Sequence, residues 1–321
     1  MPAPPRPCPA CGADGPPEAF VAREMMFGTR EPFTYLECPA CGCVRIAEVP
    51  DDLGAHYPDG YYSFGAPPTG RLQRLAKRQR LRHALGLAAP GGAGLTARYG
   101  PSPIGAWLAP LGLPLDADVL EVGCGAGHLL FELRDAGFTS LVGVDPFTPR
   151  AVGRRGVRVL RRSVHEVEGA FDLVMFHHTF EHLADPAETL GQAARLTRPG
   201  GRVLLRVPVA DSFAFRTYGA DWVQLDAPRH LFLHTRASIG HLAERAGLAI
   251  ASVAWDSSAL QFWGSEQYRR DVPLFDACSH AVDPAASAFS ADVVADYQAR
   301  AEALNRAGDG DQAVFTLVRE G

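Results

Sequence analysis

From Asp118 onward the chain alternates short apolar runs with stretches of helical period. Runs rich in Val and Leu, bounded by Gly, Pro or Asp, predict strands at 118–122, 141–145, 157–160, 171–176 and 201–207, and two more at 248–256 and 313–319. Apolar residues spaced three and four apart predict helices at 128–136, 186–196 and 235–246, the second with a proline in its first turn. Strand–helix alternation of this kind implies an α/β fold, a doubly wound, Rossmann-like parallel sheet of seven strands. Two stretches interrupt it, near 211–235 and 257–311, and each must hold structure of its own, since ordinary loops run to only about 4–6 residues.

The region before the sheet reads differently. Residues 70–85 have Leu72, Leu75 and Ala76 on one side of a helix, with Arg71, Arg74, Lys77, Arg78, Arg80 and Arg82 around the rest. A Gly/Pro-rich segment, 86–105, follows as a linker or mobile lid. Ahead of it, Tyr57, Tyr61, Tyr62 and Phe64 sit in a Pro/Gly/Asp-rich stretch and suggest a second lid element. The expected division is 1–50, a cysteine-rich module; 51–105, a linker and lid with the basic helix; and 106–321, the α/β domain.

Composition narrows the class. A chain of 321 residues, 47% hydrophobic, can bury one sizeable core and carry a small accessory module. No apolar run approaches the roughly 18 residues that span a bilayer, and M-P-A-P-P-R-P lacks a signal-peptide core, so the expectation is a cytoplasmic protein without membrane insertion. A net charge of -5 argues against a nucleic-acid surface spread over the whole chain.

Five of the seven cysteines fall within the first 43 residues. Cys8-x2-Cys11 and Cys38-x2-Cys41 form two knuckles that let four thiolates converge on a tetrahedral ion, the pattern of a structural Zn²⁺ ribbon. Cys43 is an alternative to Cys41, but the matched C-P-A-C pairs favour Cys41. A redox C-x-x-C should follow a strand in a thioredoxin-like pattern, which is absent here.

D-V-L-E-V-G-C-G-A-G at 118–127 combines a buried strand, an acid and glycines at every second position. The glycines permit a tight turn and let a ligand lie against the backbone. A dinucleotide fingerprint would need its third glycine at 128, which is His128, and Glu121 would repel a pyrophosphate. The segment resembles the first motif of the class I S-adenosylmethionine-dependent methyltransferases. That resemblance implies cofactor contacts from Glu121, Gly123, Cys124, Gly125 and Gly127. Asp145 and Pro146 end the next strand, where Asp145 can hold both ribose hydroxyls. S-V-H-E at 163–166 and F-D-L-V-M-F-H-H at 171–178 resemble the family's later motifs and imply Ser163 and Val164 beside the adenine and His177 in the methyl-donor cleft. L-T-R-P-G-G-R-V-L-L at 196–205 resembles the entry to its fifth strand.

Two segments are candidates for the chemistry. H-H-T-F-E-H at 177–182 places His178, Glu181 and His182 at i, i+3, i+4 spacing, on one side of a helical turn. It resembles the ubiquinone-biosynthesis O-methyltransferases, whose E-x-x-E-H stretch is assigned to a divalent cation. Here His178 replaces the first carboxylate, a poor match for Mg²⁺, and a structural role in the strand-to-helix turn is the alternative. D-A-P-R-H-L-F-L-H-T at 226–235 resembles a group of bacterial methyltransferases associated with cell-surface sugars and secondary metabolites. It offers His230 as general base or orienting group and Arg229 as partner of an anionic substrate. Hydrogen bonding of both to lid carbonyls is the competing role.

The combined expectation is methyl transfer from S-adenosylmethionine to a small-molecule or sugar-linked acceptor, on oxygen before carbon or nitrogen, with catalytic His230, His178 and Arg229. Some sugar C-methyltransferases and some ribosomal-RNA guanine methyltransferases also carry an N-terminal cysteine-rich zinc module. A phosphate-binding ribbon should be basic, whereas residues 1–50 hold four arginines against six acids. An RNA methyltransferase and a cofactor-binding interaction protein without turnover remain the alternatives.

Overall fold

The structure is a computed structural model describing residues 7–58, 70–148, 151–154 and 156–319. Among the described residues, twelve strands are formed: β1 (Glu18–Arg23), β2 (Pro32–Glu37), β3 (Val44–Ile46), β4 (Asp118–Val122), β5 (Ser140–Val144), β6 (Val152–Arg154), β7 (Val157–Leu160), β8 (Phe171–His177), β9 (Thr197–Pro208), β10 (Phe232–Leu233), β11 (Leu248–Trp255) and β12 (Gln312–Arg319). The α-helices are α1 (Arg71–Ala84), α2 (Gly92–Tyr99), α3 (Pro103–Leu108), α4 (His128–Ala136), α5 (Pro186–Leu196), α6 (Phe213–Tyr218), α7 (Arg236–Arg245), α8 (Leu260–Arg269) and α9 (Ala291–Ala307). The chain divides into two compact units: Met1–Pro58 with His178–Gly191 and Leu205–Glu320, and Asp59–His177 with Gln192–Leu204 and Gly321.

In the second unit, β8, β4, β5 and β7 lie parallel, with β6 antiparallel on the edge. Leu120 of β4 faces Val142 and Val174 in register. Val119, Leu120, Leu141 and Leu173 through Phe176 are all buried, as expected of strands covered on both faces. The expected seven strands are present, and the three-residue β6 makes the mixed sheet eight-stranded. Arg198 ties the T-R-P-G-G turn to the starts of β4 and β8, reaching Asp118 at 2.6 Å and Asp172 at 2.7 Å.

Helix α4 buries Leu129, Leu130, Leu133 and Ala136. Its last carbonyl, Ala136 O, accepts from Arg82 of α1, so a cation sits where the helix leaves unpaired acceptors. Arg80 likewise donates to Gly100 O at 2.8 Å. Two of the basic residues of α1 therefore cap neighbouring backbone. The stretch 86–105, expected as a linker or mobile lid, contains α2 and α3.

In the first unit, the cysteine-rich segment forms an antiparallel sheet in the order β1-β2-β3-β10. Its fourth strand comes from the insertion after β9, with Phe232 opposite Arg45 and Leu233 opposite Val44. The insertion also supplies α6 and two short 3-10 turns, Gly219–Asp221 and Val223–Leu225. Thr235 then caps α7, its hydroxyl accepting from Ser238 N. The second insertion holds α8 and α9, joined where Phe262 stacks on Tyr297.

Candidate functional site

The donor side is built on the carboxyl ends of β4 and β5. Glu121, in β4, is buried, and its Oε2 has no hydrogen-bond partner among the described residues. Burial, reinforced by the nearby Asp145, pushes its carboxyl up to about 8. Asp145 accepts from Gly125 N at 3.0 Å and from Phe147 N at 2.8 Å, which folds the glycine turn around it. Gly127 has φ +79°, and a Cβ there would lie 2.7 Å from Val159 Cγ2. Cys124 is buried over β5, where a Cβ on Gly143 would lie 2.5 Å from its sulfur.

Pro146 follows Asp145 and accepts from Arg161. Ser163 spends its hydroxyl on His165 N, capping a short turn that buries Val164. His177 ends β8 with its ring stacked on Trp107 at 5.6 Å. Two buried carboxylates, one with an unsatisfied oxygen, beside a glycine-rich turn suit an amine and a ribose diol. The residues present therefore fit S-adenosylmethionine.

A second cluster lies wholly in the first unit. His178 has φ +52°, a conformation that costs an ordinary residue about 1–2 kcal/mol. The helical turn expected over 178–182 is instead a 3-10 turn over Phe180–His182, with His178 outside it. Its Nδ1 still lies 3.3 Å from Glu181 Oε1, while its Nε2 contacts the Arg206 guanidinium. Arg206 in turn holds Asp256 at 2.7 Å. Burial, with the Arg206 cation beside it, holds His178 well below the usual histidine range. An imidazole whose Nε2 accepts from Arg206 is engaged within the protein, as the structural alternative for this turn supposes.

Arg229 is likewise engaged within the protein. Its side chain is fully buried; Nε and Nη2 donate to Asp226, Nη2 to Glu24 at 2.8 Å, and Nη1 to His56 O. Against the cost of burial, Arg229 holds the Asp226 carboxyl below its usual range. The guanidinium thus anchors the loop rather than pairing with an acceptor.

His230 is nearly buried. Its Nδ1 meets Gln224 O at 2.8 Å, which leaves Nε2 as the lone-pair nitrogen, 3.9 Å from Glu181 Oε1 and 3.8 Å from Asp226 Oδ2. His182 is arranged alike, with Nδ1 2.8 Å from Arg229 O and the two rings edge to face at 4.7 Å. Tyr57 places its hydroxyl 3.3 Å from His182 Nδ1; Tyr61, Tyr62 and Phe64 of the expected lid lie outside the described residues. Glu181, His182 and His230 offer ligand atoms within 4.8 Å of one another, so His230 takes the place that spacing assigned to His178.

The cysteine site assembles as the spacing implies. Cys8 and Cys41 sulfurs are 3.8 Å apart, as are those of Cys11 and Cys38, and all four lie within 4.8 Å. A tetrahedral ion with 2.3 Å bonds to sulfur needs edges of about 3.8 Å, so the four thiols fit zinc. Cys43 points elsewhere, toward Val44 O and His234.

Sequence reasoning missed Asp226, Glu24, Tyr35, Arg206, Asp256 and Gln224. Asp226 had a signal, an acid three residues before Arg229 within D-A-P-R-H. Glu24, Tyr35, Arg206 and Asp256 come from distant segments that carry no local pattern, and Gln224, six residues before His230, takes part through its backbone carbonyl.

Residues 96–253 match the family model described as Methyltransferase domain. The ubiquinone biosynthesis O-methyltransferase of Pseudomonas aeruginosa is 32% identical over 155 residues, covering 42% of this chain and 66% of that relative. The same-named protein of Nitrosospira multiformis is 28% identical, with 42% of this chain and 64% of the relative covered. The chain thus matches slightly less than two thirds of these relatives' length. A Thermotoga maritima structure described as a possible histamine N-methyltransferase aligns with a TM-score of 0.41 at 17% identity, covering 65% of this chain and 84% of its own. With its parallel sheet and glycine turn, the segment 96–253 is similar to the methyltransferase domain of the class I S-adenosylmethionine-dependent enzymes. Its curated relatives are oxygen methyltransferases by name.

Proposed function

We propose that the protein transfers the methyl group of S-adenosylmethionine to an oxygen of a small-molecule or sugar-linked acceptor, with His230 removing the acceptor proton. The carrying observation is the orientation of His230: Nδ1 is committed to Gln224 O, and Nε2 faces two carboxylates that a transferred proton would meet. When bound, S-adenosylmethionine would supply a methyl carbon activated by its sulfonium, with the thioether as leaving group. The residues implied on the donor side, Glu121, Gly123, Cys124, Gly125, Gly127, Asp145, Pro146, Ser163, Val164 and His177, bind and orient the donor. His230 holds the proton released by the acceptor hydroxyl. Aligned contact at about 3–3.5 Å supplies most of the remaining acceleration.

The oxygen acceptor is supported by the O-methyltransferase relatives, and the acidic balance of residues 1–50 speaks against RNA. His230→Asn should lower turnover about 10²–10⁴-fold, the usual contribution of a general base, with cofactor affinity unchanged. Full activity in that variant overturns the base assignment. Tight, salt-steep binding of ribosomal RNA fragments overturns the acceptor class.

A second reading takes Glu181, His182 and His230 as ligands of a divalent ion, favoured by their proximity and by the unpartnered Glu181 Oε2. Two imidazoles and a carboxylate suit a transition metal better than Mg²⁺. Two metal equivalents per chain, falling to one in His182→Asn, support it; one equivalent in both proteins excludes it.

A further inference from the structure

The segment that carries His230 is bonded to the cysteine-rich sheet at nearly every residue. Glu24, just beyond β1, receives Arg229, and the Tyr35 hydroxyl of β2 donates to His230 O at 2.9 Å. Ile46 N donates to Leu231 O at 3.0 Å, Phe232 and Leu233 pair with Arg45 and Val44, and Thr235 Oγ1 donates to Cys41 O at 2.6 Å. Tyr35 and Glu24 are both fully buried. Glu24 also accepts from the N–H groups of Phe27 and Thr29, so its carboxylate is held in place before it meets Arg229.

Strands β2 and β3 are the two arms that Cys38, Cys41 and Cys43 join. The turn between them closes through Gly42 N to Cys38 O at 2.8 Å and Cys38 N to Cys43 O at 2.9 Å. A three-residue β3 and a two-residue β10 have little stability of their own. A tetrahedral ion at four thiolates supplies folding free energy and leaves no open position for chemistry.

We propose that Tyr35 and Glu24 are positioning residues for His230, and that the four-cysteine site makes the order of residues 229–235 depend on bound metal. The cysteine module is then the scaffold of the acceptor side, not a separate surface for a macromolecular partner. This rests on the reading of His230 as the base, but its structural half can be measured separately.

The test compares the full-length, metal-loaded protein with the same protein after chelation by 1,10-phenanthroline. Hydrogen exchange should rise about tenfold or more at the amides of 229–235, with 118–130 and 248–255 unchanged. In protein labelled with ¹⁵N-histidine, the His230 ring should show the Nδ1–H tautomer when loaded. It should shift toward a tautomer mixture in Tyr35→Phe and Glu24→Gln that still hold one metal equivalent. Opening of 7–46 with 229–235 still protected overturns the proposal. So does equal opening throughout 205–319, or a loaded Tyr35→Phe and Glu24→Gln pair with the wild-type His230 signature. If His230→Asn keeps full turnover, the base reading falls while the exchange result stands.

Discussion

Arg229 and Glu24 meet at 2.8 Å with both side chains buried, although 205 residues separate them in the chain. Asp226 is the other carboxylate on the same guanidinium, at 2.6 Å. Removing the cation leaves two buried acids uncompensated. Arg229→Met should therefore destabilise the protein by about 3–5 kcal/mol, the usual cost of breaking a buried pair from one side. Chemical denaturation of the metal-loaded variant measures this; a loss below about 1 kcal/mol returns Arg229 to a substrate-facing role.

Glu121 gives a pH dependence to cofactor binding. With its folded carboxyl pushed up to about 8 from an ordinary 4.5, it is protonated at neutral pH without ligand. The raised value means that stability is fully present below pH 4.5 and declines as pH rises toward 8, because the unfolded chain gives up the proton first. A bound ammonium reverses the preference, so binding expels this proton. S-adenosylmethionine affinity should rise up to about tenfold per pH unit between pH 6 and 7.5. Calorimetry in buffers of different ionisation enthalpy should find close to one proton released, and none in Glu121→Gln. Flat affinity in the wild type contradicts this.

Gly127→Ala meets two penalties together, a positive φ and a Cβ 2.7 Å from Val159 Cγ2. The expected destabilisation is about 1–3 kcal/mol, together with weaker cofactor binding. Thermal unfolding and binding calorimetry on one preparation check both. An unchanged melting point and affinity would show that the turn relaxes freely.

Arg206→Met removes the partner of His178 Nε2 while leaving His230 and its contact with Gln224 O in place. If His178 is structural, turnover should fall less than tenfold, against about 10²–10⁴-fold for His230→Asn. Labelled methyl transfer compares the two variants; an equal loss in both restores His178 to the chemistry.

What the sequence disclosed follows from the range of each interaction. The strand–glycine–helix at 118–136 is specified by neighbouring residues, and α4 begins and ends where its periodicity does. The four cysteines were legible because metal geometry limits the spacing, and their sulfurs converge. The partners of Arg229 and His178 were not legible. Burial decides the first, set by Glu24 from a remote segment; a left-handed backbone decides the second, placing His178 outside the turn its spacing suggested. The pairing of β3 with β10 was invisible because a two-residue strand has no alternation to read.

The central claim is that a methyl group bound by the glycine turn passes to a small-molecule oxygen under the control of His230. The most direct measurement supplies methyl-labelled S-adenosylmethionine to the metal-loaded protein with separated small-molecule and RNA fractions of a bacterial extract. The account predicts label in an O-methylated small molecule with the wild type and almost none with His230→Asn. Label in the RNA fraction, or equal labelling by both proteins, would contradict it.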